Sequence, residues 1–387
     1  MKRVLITGGA GFIGNAIIDE IQNKYDIRVL DNLSPQIHGE KVEESFLYNS
    51  IKDRVEFIKG DVRVYSDMQK ALKDVDYIIH LAAETGTGQS MYEINQYSDV
   101  NLMGTSNMLQ VILQEKIKIE KLVLASSRSV YGEGSYECKK HGIVVPKSRD
   151  IDAMKAGEFD CTCPKCNSNV ELVATREDSP LNSISYYALT KEMQENMLKL
   201  MCPVIGIEYT IFRYQNVYGA GQSLNNPYTG ILSIFSKQFL SNNKVNIFED
   251  GLESRDFVHV KDVARVTCLS LENNESNGET INVGSGDQVN VLKVAETLKE
   301  FYKSSSDIIV TGDFRQGDIR HNIADISKIK SIFNYEFLYT FKTGMKQFSD
   351  WVIEEIAKKP TNIDNSAFDR SINELKESGM MFTKDSK

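Results

Sequence analysis

Residues 3–21 constrain this chain more than any other stretch. An apolar run (Val4, Leu5, Ile6) breaks into Gly8-Gly9-Ala10-Gly11, after which apolar residues recur at Phe12, Ile13, Ala16, Ile17 and Ile21 with the spacing of one helix face. The pattern reads strand, glycine turn, helix. Gly8 lets the chain turn tightly, Gly11 lets the backbone approach a pyrophosphate, and Gly14 lets the helix lie close on the sheet. The free N–H groups at the start of such a helix face the phosphates of a dinucleotide. Glycines also mark ordinary turns, so the segments that follow decide the reading.

The next strand, 27–31, ends in Asp31, 17 residues beyond Gly14. A carboxylate there accepts hydrogen bonds from ribose hydroxyls and repels a 2′-phosphate, which favours NAD over NADP; a cap on the following loop is the alternative role. Strand 55–58 leads to Gly60, Asp61 and Val62, and strand 77–81 ends at Leu81 and leads to Ala82 and Ala83. Helical segments such as 64–73 and 95–115 alternate with these strands, which predicts an α/β fold with a doubly wound parallel sheet of the Rossmann type. His80, inside an apolar strand, reads as a core histidine.

With 387 residues the chain is long enough for two domains, expected at 1–212 (dinucleotide-binding, with an insertion at 133–180) and 213–387 (smaller, substrate-binding, with about 256–272 returning to the first). A net charge of −9 argues against a sequence-independent nucleic-acid partner, because nothing would release counterions from a phosphate backbone. No apolar run is long enough for a membrane span or a signal peptide, so no membrane partner is expected and the cytoplasm is the expected location. There the six cysteines would be reduced thiols or metal ligands.

The fifth strand, 122–125, runs into Ser126-Ser127-Arg128-Ser129, and 55 residues after Gly132 the helix opening at Tyr187 carries Lys191 four positions on. Residues i and i+4 share a helix face, so the ammonium can lie beside the phenol across a bound ribose. A tyrosine base working near neutrality needs its pKa lowered by roughly 3 units, about 4 kcal/mol, which Lys191 and a positive nicotinamide ring would supply. Ser127 would hydrogen-bond the same substrate oxygen and position the proton. Arg255 and Arg315 suit a diphosphate clamp, since each guanidinium fork can bind phosphate oxygens bidentately. Arg213 could do the same or hold the domains together through a buried carboxylate.

These ordered motifs, with Asn101, Arg213 to Gly219, Arg255 to Val260, Asn282 to Gly286 and Arg315 to His321, resemble the extended short-chain dehydrogenase/reductase family, the nucleotide-sugar epimerases and dehydratases. The resemblance implies NAD bound by Gly8, Gly11, Phe12, Ile13, Asp31, Asn32, Asp61, Val62, Leu81, Ala82, Ala83, Asn101, Tyr187, Lys191 and Tyr214. It implies a nucleotide-diphosphate sugar at Ser127, Asn216, Arg255, Arg315 and Asn322, with Glu84 and Thr85 either touching the sugar or serving as plain loop. It also implies a homodimer through helices 95–115 and 186–201. The related dehydratases carry an Asp-Glu pair where this chain has Arg128 and Ser129, so water elimination is disfavoured. A C4 epimerase needs only Ser127, Tyr187 and Lys191. The alternatives are a 4-ketoreductase or dehydrogenase of the same family and a non-catalytic NAD-sensing protein.

The segment between Gly132 and Tyr187 is long for the family, and it contains Cys138, His141, Cys163 and Cys166 as two knuckles separated by 21 residues. Two Cys-x2-Cys/His knuckles suit a closed tetrahedral structural zinc site; Cys161 could replace one ligand, and a cluster of reduced thiols is the alternative. Because the segment leaves the sheet at the C-terminal end of strand five, it is expected to border or lid the sugar pocket. This lobe, with Glu84 to Met91 and Gln222 to Ile231, is most similar to the dTDP-L-rhamnose 4-epimerase branch of the family. Phe368, Ile372 and Leu375 predict an amphipathic terminal helix over 366–378.

Overall fold

The structure is a computed structural model that describes residues 1–224, 230–358 and 366–384, and for 366–371 the backbone alone. The centre of the 222–231 stretch and the Phe368 side chain therefore lie outside the described residues. Seven strands form the main sheet: β1 (Arg3–Thr7), β2 (Asp26–Asp31), β3 (Glu56–Lys59), β4 (Tyr77–His80), β5 (Lys121–Ser127), β6 (Glu208–Tyr214) and β7 (Glu279–Val283). All pair in parallel, in the order β7-β6-β5-β4-β1-β2-β3. Parallel neighbours need crossover helices, and these cover both faces. Strand alternation divides the core accordingly. Val4, Ile6, Val29 and Val123 face the helices that carry Ile17 and Val263, while Leu5, Leu30, Leu122 and Leu124 face those carrying Met108 and Leu198. From β1 the chain winds to β2 and β3 on one side and resumes at β4 on the other, which opens a crevice at the strands' C-terminal ends.

The return to the first unit is wider than 256–272. Strand β6 crosses the 212/213 boundary, β7 adds the sheet's edge, and Ile329 and Tyr335 join its core. The second unit packs helices Ile231–Leu240, Val291–Tyr302 and Phe341–Lys358 through Phe235, Phe239, Leu298 and Phe348. The inserted lobe is a three-stranded antiparallel sheet of Gly142–Val144, Tyr136–Cys138 and Glu171–Leu172. No described helix is long and apolar enough to cross a membrane.

The helical stretch expected at 95–115 contains a π-helical interval, Ser98–Met103, ahead of the α-helix Gly104–Gln114. Side-chain periodicity cannot reveal such a widened turn, and this one contains Asn101. Helix Tyr186–Ile205 begins at a Ser185 cap that accepts from the Ala188 amide, and ends at Gly206 with φ 70°. Its inner face is largely polar. Glu195 receives Arg213 Nε at 2.9 Å and Nη2 at 2.7 Å, and accepts from Ser126 Oγ at 2.6 Å. Arg213 Nη1 also donates to the Tyr131 hydroxyl at 2.7 Å. The carboxylate that satisfies Arg213 thus belongs to the first unit, and the pair joins this helix to β5 and β6 instead of joining the two domains.

Removing one partner of a buried ion pair leaves an uncompensated charge. Arg213→Met should therefore lower unfolding free energy by about 3–5 kcal/mol, read by urea denaturation, and Arg213→Met with Glu195→Gln should recover part of that loss.

Candidate functional site

A cleft of about 940 Å³ follows the C-terminal ends of the central strands and continues between the two units. At one end is the glycine turn. Gly8 has φ +69°, and a Cβ there would lie 2.8 Å from the Ala82 backbone; one on Gly14 would lie 2.4 Å from the Gly9 carbonyl oxygen. Gly14 thus lets the helix lie close on the turn itself. The Asp31 carboxylate accepts from the Ala10 amide at 3.0 Å and from the Leu33 amide at 2.8 Å. It caps the following loop and, through Ala10, also braces the glycine turn. Burial raises its pKa. Beside it, Asn32 Nδ2 donates to Asp61 at 3.1 Å. Gly8, Gly11, Phe12, Ile13, Asp31, Asn32, Asp61, Val62, Leu81, Ala82, Ala83 and Tyr214 all line the cleft. A glycine turn packed this closely against the strand ends, opening into the cleft, fits a dinucleotide cradle.

Asn101 does not line the cleft. Fully buried, it receives the Glu84 amide at 2.8 Å and donates to Thr190 Oγ1 at 2.9 Å. These contacts tie the loop after β4 to helix Tyr186–Ile205, so Asn101 shapes that loop. His80 is held between Thr7 Oγ1 at 2.7 Å and Thr105 Oγ1 at 3.0 Å, and burial pushes its pKa down to about 3. It is a neutral core residue, as expected.

In the middle of the cleft, Ser127 at the end of β5 lies beside the Tyr187 phenol. Lys191 Nζ donates to the Ala125 carbonyl at 2.8 Å and stands 6.0 Å from the centre of the Tyr187 ring. Burial pushes the Lys191 pKa down to about 7, opposed by Glu195. The phenol is not acidified by the protein alone. Burial raises its pKa, with Ser127 and Arg128 pulling the other way. The dominant effect is desolvation of the charged form.

The far end is cationic. Arg255 donates to the backbone carbonyls of Ser254 (2.8 Å), Arg320 (3.1 Å) and Ile319 (2.8 Å), an anchorage that leaves its charge unneutralised by those partners. Arg315 pairs with Asp318 at 2.9 Å and lies 5.3 Å from the Phe248 ring centre. Arg128 Nε donates to Asn216 Oδ1 at 2.8 Å, so Asn216 is positioned by a third arginine. Sequence reasoning used Arg128 only to argue against elimination; its place just past the end of β5 was the signal that it would face a ligand. Glu84 and Thr85 also line the cleft, whereas Asn322 does not. Asn322 is fully buried with its amide N–H on the Ser254 carbonyl at 3.1 Å, and the parallel bridge next to it turns its side chain behind the wall near Gly134.

Glu253 was not foreseen. It lines the cleft, is 7% exposed, and its Oε2 has no protein partner among the described residues. Burial, with Glu249 nearby, pushes its pKa up to about 7.

In the lobe, Cys138, His141, Cys163 and Cys166 bring their ligand atoms within 4.8 Å of one another. Cys138 Sγ is 3.8 Å from Cys166 Sγ and 3.6 Å from His141 Nδ1, and Cys163 Sγ is 3.4 Å from the same nitrogen. Zinc–sulfur bonds of about 2.3 Å give tetrahedral edges of about 3.8 Å, so the four atoms already stand at the spacing of a metal tetrahedron. Cys161 stands apart, beside Tyr136 and Glu133, so it is not one of the four. Among the described residues none from 133–180 lines the cleft, which corrects the expected lid. A buried ion network fastens the lobe to residues of the cleft wall instead. Arg149 of the lobe reaches Glu249 at 2.8 Å and its Nη2 donates to the Asp318 carbonyl at 2.8 Å, while Arg320 reaches Asp160 of the lobe at 2.9 Å and donates its backbone N–H to Glu133 at 2.6 Å.

Residues 4–149 and 160–284 match the model of the NAD dependent epimerase/dehydratase family. The chain is 33% identical over 362 residues to a dTDP-L-rhamnose 4-epimerase of Burkholderia thailandensis, covering 92% of this chain and 97% of that one. It is 32% identical over 352 residues to a putative UDP-glucose 4-epimerase of Methanocaldococcus jannaschii, covering 90% and 98%. The UDP-glucose 4-epimerase of Thermotoga maritima, solved with UDP-glucose, superposes with a TM-score of 0.75 at 27% identity, covering 92% of this chain and 99% of that one.

Glu253 makes the pH dependence of stability testable. Between its unfolded pKa of 4.5 and its folded value near 7 the native state holds the extra proton, so its contribution to stability falls as pH rises through that window. Glu253→Gln should raise unfolding free energy at pH 8, by up to about 3 kcal/mol, and change it far less at pH 5, read by urea titration at both pH values.

Proposed function

The chain belongs to the NAD-dependent epimerase/dehydratase family, and from that premise we propose that it is a nucleotide-sugar 4-epimerase acting on dTDP-L-rhamnose or a related dTDP- or other nucleoside-diphosphate hexose. The observation that carries the reading is the placement of Ser127, Tyr187 and Lys191 in one cleft between a dinucleotide cradle and a group of three arginines. NAD held along Gly8, Gly11 and Asp31 would supply the hydride acceptor and donor for the redox change at C4, and inversion would follow from hydride return to the other face of the sugar. Tyr187 takes the C4 hydroxyl proton and gives it back, and Ser127 holds the same oxygen. Lys191, when protonated, favours the phenolate through its charge. Burial raises the phenol's pKa in the protein alone, and a cationic nicotinamide beside it would act in the opposite direction. Arg128, Arg255 and Arg315 grip the diphosphate while the hexose turns over, so the intermediate stays bound between the two hydride transfers. The substrate reading is supported by the relationship to the rhamnose epimerase and by the inserted lobe.

The four lobe ligands hold a structural zinc. Their spacing fits the ion and leaves it no open position, so its part is to fold the lobe. The exposed apolar residues Leu189, Met193, Leu200 and Val204 on helix Tyr186–Ile205 support a homodimer through that helix.

Incubated with dTDP-, UDP-, GDP- and CDP-sugars, the protein should invert C4 of a dTDP-hexose, read by NMR, with no net NADH formed; accumulating NADH would mark a dehydrogenase instead. Tyr187→Phe should retain NAD and lose activity by on the order of a thousandfold. Elemental analysis should find one zinc per chain, and Cys163→Ser should lose it together with thermal stability.

A further inference from the structure

The last described stretch of the chain is built into the cleft. Helix Ser366–Glu377 and strand Met381–Phe382 contribute Ile372, Asn373, Lys376 and Met381 to its lining. The first three recur at i, i+1 and i+4, one face of the helix, so the helix lies along the opening. Contacts to three separate parts of the protein hold it there. On the side of the first unit, Leu375 is 5% exposed and lies 3.6 Å from where a Cβ on Gly88 would stand, and the Tyr92 hydroxyl donates to Glu374 at 3.1 Å. On the side of the second unit, Met381–Phe382 pairs antiparallel with Phe314–Arg315, and the Gln316 amide donates to the Met380 carbonyl at 2.9 Å. The third contact is the inserted lobe. Phe382 stacks on Phe314 at 5.3 Å between ring centres, Phe314 meets Phe159 at 6.3 Å, and the Lys155 ammonium lies 5.6 Å over the Phe382 ring. The lobe that supplies nothing to the cleft lining therefore supplies the dock for the segment that does.

Lys376 lines the cleft next to Leu375, which packs on the 84–88 loop, and the strand that follows its helix pairs Met381 with Arg315. No carboxylate of the described residues pairs with it, in a chain whose net charge is −9. A cation left unpaired at the wall of a cleft is a site for an oxygen-rich or anionic ligand group.

We propose that Lys376 is a substrate-binding residue, carried into the nucleotide-sugar site by the C-terminal segment, where its ammonium donates to a sugar hydroxyl or a diphosphate oxygen. The proposal rests on the reading of the cleft as a nucleotide-sugar site. The segment closes a wall that the two units leave open, and the lobe keeps it in place.

The test uses the full chain with its NAD. Acylation of lysines with an N-hydroxysuccinimide ester, read by mass spectrometry, should be slowed at Lys376 about tenfold by saturating dTDP-L-rhamnose and left unchanged at Lys52, outside the cleft. Protection by dTDP alone would assign the contact to the diphosphate; protection only by the dTDP-sugar would assign it to the hexose. Lys376→Ala should raise KM about tenfold or more, with kcat within threefold and NAD content unchanged, and Lys376→Arg should restore most of the loss. Because the side chain is exposed, neither variant should disturb folding. An unprotected Lys376 together with an unchanged KM in Lys376→Ala overturns the proposal while leaving the epimerase reading intact. Absence of C4 inversion with every sugar, with Lys376 still protected by dTDP, overturns the epimerase reading and keeps the contact.

Discussion

Everything at the reacting centre depends on a buried ion pair between two strands and one helix. Glu195 lies one turn beyond Lys191, and its carboxylate is gripped by both forks of Arg213 and by Ser126. Two charges removed from water contribute stability only when geometry and additional hydrogen bonds offset their desolvation. Here every oxygen is used, and the tyrosine hydroxyl of the β5–lobe junction is drawn in as well. The pair fixes the register of helix Tyr186–Ile205 against the end of β5. That register puts the phenol of Tyr187 on Ser127 and the ammonium of Lys191 on the Ala125 carbonyl.

The same burial sets the electrostatics. It pushes Lys191 down to about 7 and the phenol upward, both by disfavouring the charged form. At the opposite end, three arginines and Lys376 face the cleft from four different segments, and the inserted lobe braces the walls that hold two of them. Binding and chemistry are thus supported by separate buried networks.

The parts of this site that were legible in the sequence share a property: they depend on neighbours within one strand-turn-helix unit. Gly8, Gly11, Gly14 and Asp31 are read from local spacing, and Tyr187 with Lys191 from helical periodicity. Asn101 was placed at the cofactor by resemblance alone, and a motif does not report that its side chain is bonded to the loop after β4 behind the cleft lining. Asn322 was misplaced because alignment with a motif says nothing of which way an edge residue turns; here its backbone bridges to Ser254 and the side chain goes behind the wall. The expected lid was a correct sense that the lobe attaches near the ligand end, but Arg149 and Arg320 fasten it to the wall, and none of its described residues lines the cleft. Glu253 had no sequence signal at all, since an acidic residue in a polar loop reads as solvated until its burial is known.

By itself the sequence determined the parallel sheet, the dinucleotide cradle, the serine-tyrosine-lysine set and the four-ligand cluster, because each follows from residue type and short-range spacing. Only the tertiary structure decided that Arg213 belongs to the scaffold, that Arg128 faces the cleft, and that the tail closes it. Those outcomes depend on which charges meet after residues far apart in the chain are packed together, and that pairing is a property of the packed core and is written in no single segment.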